Sequence, residues 1–177
     1  MEAYKERIRQ YHKMLNIPAD YESRYGLPLH IEADILVSIE NDVFDRPQKL
    51  IYLASKQWEK MKKSANADGV NIELVSAFRS VDYQVEIITR KLNKGEKIDK
   101  ILETIAAPGY SEHHTGRALD LTTDNCMHLS ESFEKTEAFN WLTINANRFS
   151  FKLSYPRNCK EKISYEPWHW FYDENNG

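Results

Sequence analysis

Ser111-Glu112-His113-His114-Thr115-Gly116-Arg117-Ala118-Leu119-Asp120 is answered further along the chain by Glu166-Pro167-Trp168-His169. Together the two stretches supply imidazoles and a carboxylate suited to a divalent metal, and a second carboxylate free to act as a base. Three protein ligands leave one position open on a tetrahedral zinc ion, which separates a catalytic site from a closed structural one. The set to test is His113, Asp120 and His169. Glu166, three residues before the last histidine, is placed to take the proton of a water that attacks a carbonyl. The spacing argues against His-Glu-x-x-His, in which two histidines four apart share one helix face. Here His113 and Asp120 are seven apart with Gly116 between them, and the third ligand comes from a distant strand. Tertiary folding must assemble such a site.

Two of these positions carry alternatives. His114 could face solvent, line a substrate cleft or replace His113 as the ligand. Glu166 could pair with a cation, or become a fourth ligand and so close the site. His12, His30 and His128 stand outside the pattern and read as hydrogen-bonded structural residues.

The elements that must position these residues follow from periodicity and punctuation. Ala3 to Asn16 reads as a helix, with Ile8, Tyr11 and Leu15 on one face and Pro18 beyond its end. Ile31 to Ile39 reads as a strand or extended segment. Arg46 to Asn66 places Leu50, Leu53, Ala54, Trp58 and Met61 on one stripe, which predicts a helix closed by Asp68-Gly69. Val70, Ile72 and Leu74 alternate with polar residues and predict a strand that delivers Arg79 to its far end. Ser80 caps a helix through Tyr83, Ile87, Ile88 and Leu92 to Gly95, and a shorter one covers Ile98 to Ile105. After the Pro108-Gly109 loop, Arg117 to Thr122 reads as a strand with Ala118 and Asp120 on one face and Leu119 and Leu121 on the other.

Ser130 caps a predicted helix through Phe133 to Ala146. Phe149 to Tyr155 and Ile163 to Phe171 are the last two strands. Pro167 lacks a backbone donor, so the second is expected at an edge or interrupted there. On that strand Trp168 and Trp170 alternate with His169 and read as core, unless a kink at Pro167 turns one into the cleft.

No repeat, low-complexity tract or Pro/Gly/Ser linker divides the 177 residues, so a single domain over 1–177 is the economical reading, with 1–45 as an N-terminal extension packed on the core. A formal charge of -3 gives no electrostatic case for a nucleic-acid partner. The N-terminal stretch lacks the apolar run of a secretory signal, and no segment approaches the ~18 apolar residues of a membrane span. A cytoplasmic location, no membrane partner and reduced Cys126 and Cys159 are therefore expected.

Ser-x-His-x-x-Gly-x-Ala-x-Asp followed by Glu-x-Trp-His resembles the metallopeptidases of the lysostaphin, D-Ala-D-Ala peptidase and hedgehog superfamily. VanY-type D,D-carboxypeptidases and the related L,D-carboxypeptidases are the nearer likeness. Ser76-Ala77-Phe78-Arg79-Ser80 with Gln84 resembles their Ser-x-Tyr-Arg-Ser segment and its glutamine, and Trp141-Leu142 through Tyr155-Pro156 their approach to the last strand. The resemblance spans about Arg46 to Phe171.

It implies an α+β fold, an antiparallel sheet flanked by helices, and one Zn2+ held by His113, Asp120 and His169. Glu166 would be general base and then proton donor, Arg79 a catalytic contact to substrate or oxyanion, and Ser111 and Gln84 substrate-binding or loop-supporting residues. Ser154 and Phe171 stand where the family often has arginine. The leading expectation is a zinc carboxypeptidase that releases D-Ala from a peptidoglycan precursor or recycled stem peptide. An endopeptidase of the L-Ala-D-Glu type and a non-catalytic zinc-containing binding module are the alternatives.

Overall fold

A computed structural model describes residues 1–158 and 163–174 of the chain. Cys159 lies outside the described residues, and with it the question of a Cys126 partner.

The architecture is mixed α and antiparallel β. Helices α1 (Glu2–Met14) and α2 (Tyr21–Tyr25) precede a hairpin of β1 (Val37–Asn41) and β2 (Pro47–Leu50). Then come α3 (Tyr52–Ala67), β3 (Glu73–Ser76), α4 (Val81–Asn93), α5 (Ile98–Leu102), β4 (Ala118–Thr122), α6 (Glu137–Asn145), β5 (Phe151–Leu153) and β6 (His169–Tyr172). Strands β3, β4, β6 and β5, in that spatial order, form a four-stranded antiparallel sheet. Among the described residues no helix is long and apolar enough to cross a membrane.

Two apolar clusters hold the layers together. One packs Leu119, Leu121, Trp170 and Phe151 of the sheet against Trp58 and Met61 of α3 and Trp141 and Leu142 of α6. The other joins Ile8, Leu15, Tyr21, Tyr25 and Leu27 to Val85 and Ile88 of α4 and to Ile101 and Leu102 of α5. The N-terminal segment thus forms a wall of the second cluster. Its hydrogen bonds from His30 N to Gly109 O and from Ala33 N to His114 O tie it to the loop that carries the first metal motif.

Several boundaries differ from the expected ones, each for a local reason. The predicted helix from Arg46 is two elements: Pro47–Leu50 is strand, and the helix starts only at Tyr52, after an extended Ile51. Leu50 fits both periods, so the stripe alone could not mark the break. Of the predicted strand Ile31 to Ile39, only its end enters β1. The strand expected around Val70 to Leu74 is displaced to Glu73–Ser76, and Leu74 and Val75 are both buried. The predicted helix after Ser130 is broken at Thr136, whose extended backbone and side chain cap α6, while Ser130 caps only a 3-10 turn. Pro167 does interrupt the last strand, but β6 begins after it and lies inside the sheet, between β4 and β5.

Candidate active site

The sheet brings the two motifs together by register. Asp120 of β4 and His169 of β6 are directly opposed partners, so both side chains leave the same face. Ala118 and Asp120 share that face, as Leu119 and Leu121 share the apolar one. His113 arrives on a 3-10 turn, Glu112–Thr115, that ends at Gly116 with φ 65°. A Cβ there would lie 2.7 Å from Leu36 Cδ2 and 3.2 Å from the Ile51 amide nitrogen, so both conformation and space require glycine. Glu166 is folded back towards His169 by a tight turn, in which His169 N donates to Glu166 O at 3.1 Å with Pro167 between them.

His113, Asp120 and His169 each present one ligand atom, all within 4.8 Å of one another, and all three residues are buried. Second partners aim both rings. His113 Nδ1 meets Ala77 O at 2.5 Å, which commits the Nδ1 proton to that carbonyl and leaves Nε2 as a lone pair. Among the described residues that buried Nε2 has no hydrogen-bond donor, and it faces Asp120 Oδ2 at 3.2 Å. Two acceptors held face to face in a buried site are the electrostatic signature of a place made for a cation. His169 Nδ1 completes the set at 3.1 Å from Asp120 Oδ1, while its Nε2 is held by Glu112 Oε2 at 2.9 Å. A metal-ligating histidine usually gives its other ring nitrogen to a carboxylate or backbone carbonyl, and both partners occur here. The donor set therefore fits zinc.

The electrostatics follow from this burial. Burial, helped by the Arg79 charge, pushes His113 down to about 4. Burial opposes a charged His169, yet Asp120 and Glu112 push it up to about 10. Burial would raise Asp120 too, but His113, His169 and Arg79 hold it well below the usual carboxylate range. Glu166 moves the other way: burial, only partly offset by His169, pushes it up to about 7, in the range of a working general base. Its Oε2 lies 3.8 Å from His169 Nδ1, beside the ligand group.

Arg79 reaches the same place from the loop after β3. Its Nη2 donates to Asp120 Oδ2 at 3.1 Å and its Nη1 to Gln84 Oε1 at 3.3 Å, while its buried Nε has no partner among the described residues. Gln84 Nε2 in turn donates to Ala106 O at 2.7 Å, so the amide spans Arg79 and the loop after α5. Ser111, Arg79, Gln84 and Glu166 all line one cleft of about 910 Å3 together with His113, Asp120 and His169. Trp170 is buried in the core, and Trp168, half-buried and packed against the same core, also lines the cleft.

His114 is settled by its contacts. Gly109 N donates to its Nε2 at 3.1 Å and its Nδ1 meets Arg79 O at 2.7 Å, so both nitrogens are used and the neutral ring braces two loops. Burial pushes it down to about 3, consistent with that neutral role. Glu112 was not singled out by its spacing, although its place beside His113 was the available signal. Ser154 Oγ donates to Glu112 Oε2 at 2.6 Å, which gives the residue standing in place of the family's frequent arginine a role behind His169.

An antiparallel sheet carrying a buried His-Asp-His group, with a carboxylate beside it at the head of a cleft, defines a metallopeptidase-like site. Residues 48–175 match the VanY D-alanyl-D-alanine carboxypeptidase family, and the chain belongs to it. It is 33% identical over 162 residues to YodJ of Bacillus subtilis (strain 168), covering 87% of this chain and 59% of that one. It is 34% identical over 119 residues to a D-alanyl-D-alanine carboxypeptidase of Enterococcus faecalis, covering 62% of this chain and 42% of that enzyme. The chain therefore spans about half the length of these curated relatives.

Among solved structures it resembles the LdcB LD-carboxypeptidase, with TM-score 0.71 and 31% identity over 82% of this chain and 71% of that one. It also resembles a variant of the vancomycin-resistance D,D-pentapeptidase VanY solved with Zn(II), with TM-score 0.62 and 28% identity over 88% and 82% of the two chains.

Proposed function

We propose that this protein is a zinc-dependent carboxypeptidase that removes a terminal D-amino acid, D-Ala, from peptidoglycan precursor or recycled stem peptides. The observation that carries the reading is the convergence of His113, Asp120 and His169 within 4.8 Å, with Glu166 beside them in the same cleft. Those three residues would hold the ion. When bound, zinc supplies Lewis-acid polarisation of the scissile carbonyl and lowers the pKa of water within its reach.

The protein's own groups do the rest. Glu166, raised to about 7 by burial, takes the proton of the attacking water and returns it to the leaving amine. Arg79, braced by Gln84, turns its fixed charge to the carbonyl oxygen or the substrate's terminal carboxylate. Ser111, buried on the cleft wall, offers a hydroxyl to the substrate.

Both D,D and L,D specificities occur among the relatives: the family is defined by D-alanyl-D-alanine cleavage, and LdcB is an LD-carboxypeptidase. The test is incubation of the zinc-loaded protein with pentapeptide, tetrapeptide and internal Ala-Glu substrates, read by mass spectrometry. Release of one D-Ala from the pentapeptide or the tetrapeptide supports the reading and assigns the bond. Internal cleavage alone overturns it in favour of an endopeptidase, and zinc binding without any hydrolysis overturns it in favour of a binding module.

A further inference from the structure

The catalytic sheet has an edge at β3, and the β1–β2 hairpin covers it. Val43 N donates to Leu74 O at 2.9 Å, Arg46 Nη2 to Val75 O at 3.1 Å and Phe78 N to Lys49 O at 3.1 Å, while Ala77 N donates to Gln48 Oε1 at 2.9 Å. Edge groups that would otherwise stand open are thereby satisfied. The last two of these bonds hold the backbone that carries Ala77 O, the acceptor that aims His113.

Gln48 is itself fixed from behind. Its Nε2 donates at 2.7 Å to Asp42 Oδ2, and the Asp42 side chain is fully buried. Asp42 also accepts from Phe44 N at 2.9 Å, Arg46 N at 3.0 Å and Arg46 Nε at 2.7 Å. A carboxylate with four donors is a rigid anchor, and a glutamine whose oxygen and nitrogen are each occupied has one orientation. Although Gln48 lines the cleft, both ends of its amide are used within the protein.

We propose that Gln48, anchored by Asp42, is a positioning residue for the metal site: the hairpin sets the Ala77–Phe78 backbone, and that backbone sets His113. This rests on the reading of His113 as a zinc ligand. Asp42 precedes the family match and Gln48 is its first residue, so the anchor reaches the site from outside the matched segment.

The test measures zinc affinity of the full chain by competition with a chromophoric chelator, alongside thermal unfolding of the metal-free protein. Gln48→Met keeps the volume and removes both polar ends, and Gln48→Asn keeps an amide too short to span Asp42 and Ala77. Each is expected to weaken zinc binding about 10- to 100-fold, the range for residues that support a ligand. Trp141→Phe, which removes a part-buried bond to Asp68 at 2.7 Å and trims a side chain of the core packed on the other face of the sheet, is expected to lower the unfolding temperature at unchanged zinc affinity.

Asp42→Asn should weaken zinc binding as well, and combining it with Gln48→Asn should add little beyond the stronger single change. If Gln48→Met fails to fold, Gln48→Asn decides. Zinc affinity within twofold of wild type in a folded Gln48 variant overturns the positioning role. Failure of the wild-type chain to bind zinc overturns the metal-site reading instead, so the two failures are distinct.

Discussion

Each residue around the site is set by what lies behind it. Glu166 is the sharpest case: replacing it with Gln removes the proton acceptor without removing a ligand atom, so zinc stays bound while kcat/KM falls by about 10^2- to 10^4-fold. Full activity in that variant would sink the mechanism. His169 makes a prediction about protons. Without metal it titrates at about 10, against an ordinary value of 6.5, because Asp120 and Glu112 outweigh its burial. A raised folded value means that its contribution to metal-free stability is complete below about 6.5 and is lost as pH climbs through about 10. Zinc needs Nδ1 unprotonated, so between these limits metal uptake releases a proton and apparent affinity rises with pH. Calorimetry in buffers of different ionisation enthalpy reads that proton directly; uptake with no release at pH 7.5 would remove His169 from the ligand set. Glu112→Ala withdraws the partner of His169 Nε2 and is expected to weaken zinc binding about 10- to 100-fold, measured by chelator competition.

At the level of elements, the site depends on joints more than on the helices and strands themselves. The 3-10 turn carrying His113 closes on Gly116, at φ 65° against Leu36 and Ile51. Gly116→Ala is therefore expected to destabilise the zinc-free protein by about 1–3 kcal/mol, as a left-handed non-glycine residue with little room would, and urea unfolding measures it. An unchanged midpoint would show that the loop has another way to close. Periodicity found α1 and α4 well, because their amphipathic stripes are long and their ends punctuated. It missed the break at Ile51, where a short strand ending at Leu50 runs into a helix starting at Tyr52, and the break at Thr136, where one apolar run crosses a cap. The stripe was misleading at the Ile51 junction: Leu50, Ala54, Trp58 and Met61 are buried as it predicts, but Leu53 is exposed. The Pro167 turn shows the opposite case, in which a missing N–H was legible and only its consequence for Glu166 required the fold.

For the molecule as a whole, zinc should couple to stability, because its ligands come from β4, β6 and the turn between α5 and β4. Free zinc at about 1,000 times its dissociation constant stabilises the folded state by about 4 kcal/mol; removing it with a chelator should lower the unfolding temperature, and restoring it should reverse the loss. No shift on chelation would mean that these residues hold no ion. The sequence by itself determined the inventory: which side chains could bind a metal, which further carboxylate was available to act as a base, the family likeness and the mixed α and antiparallel β class. Those follow from residue type and order, which are local properties. Tertiary structure alone decided that Asp120 and His169 face each other across β4 and β6, that His114 spends both nitrogens on loops, and that Glu112, Gln48 and Asp42 stand behind the site. Those are contacts between distant segments, fixed by strand register and by the need of each buried polar atom for a partner, and spacing along the chain does not encode them.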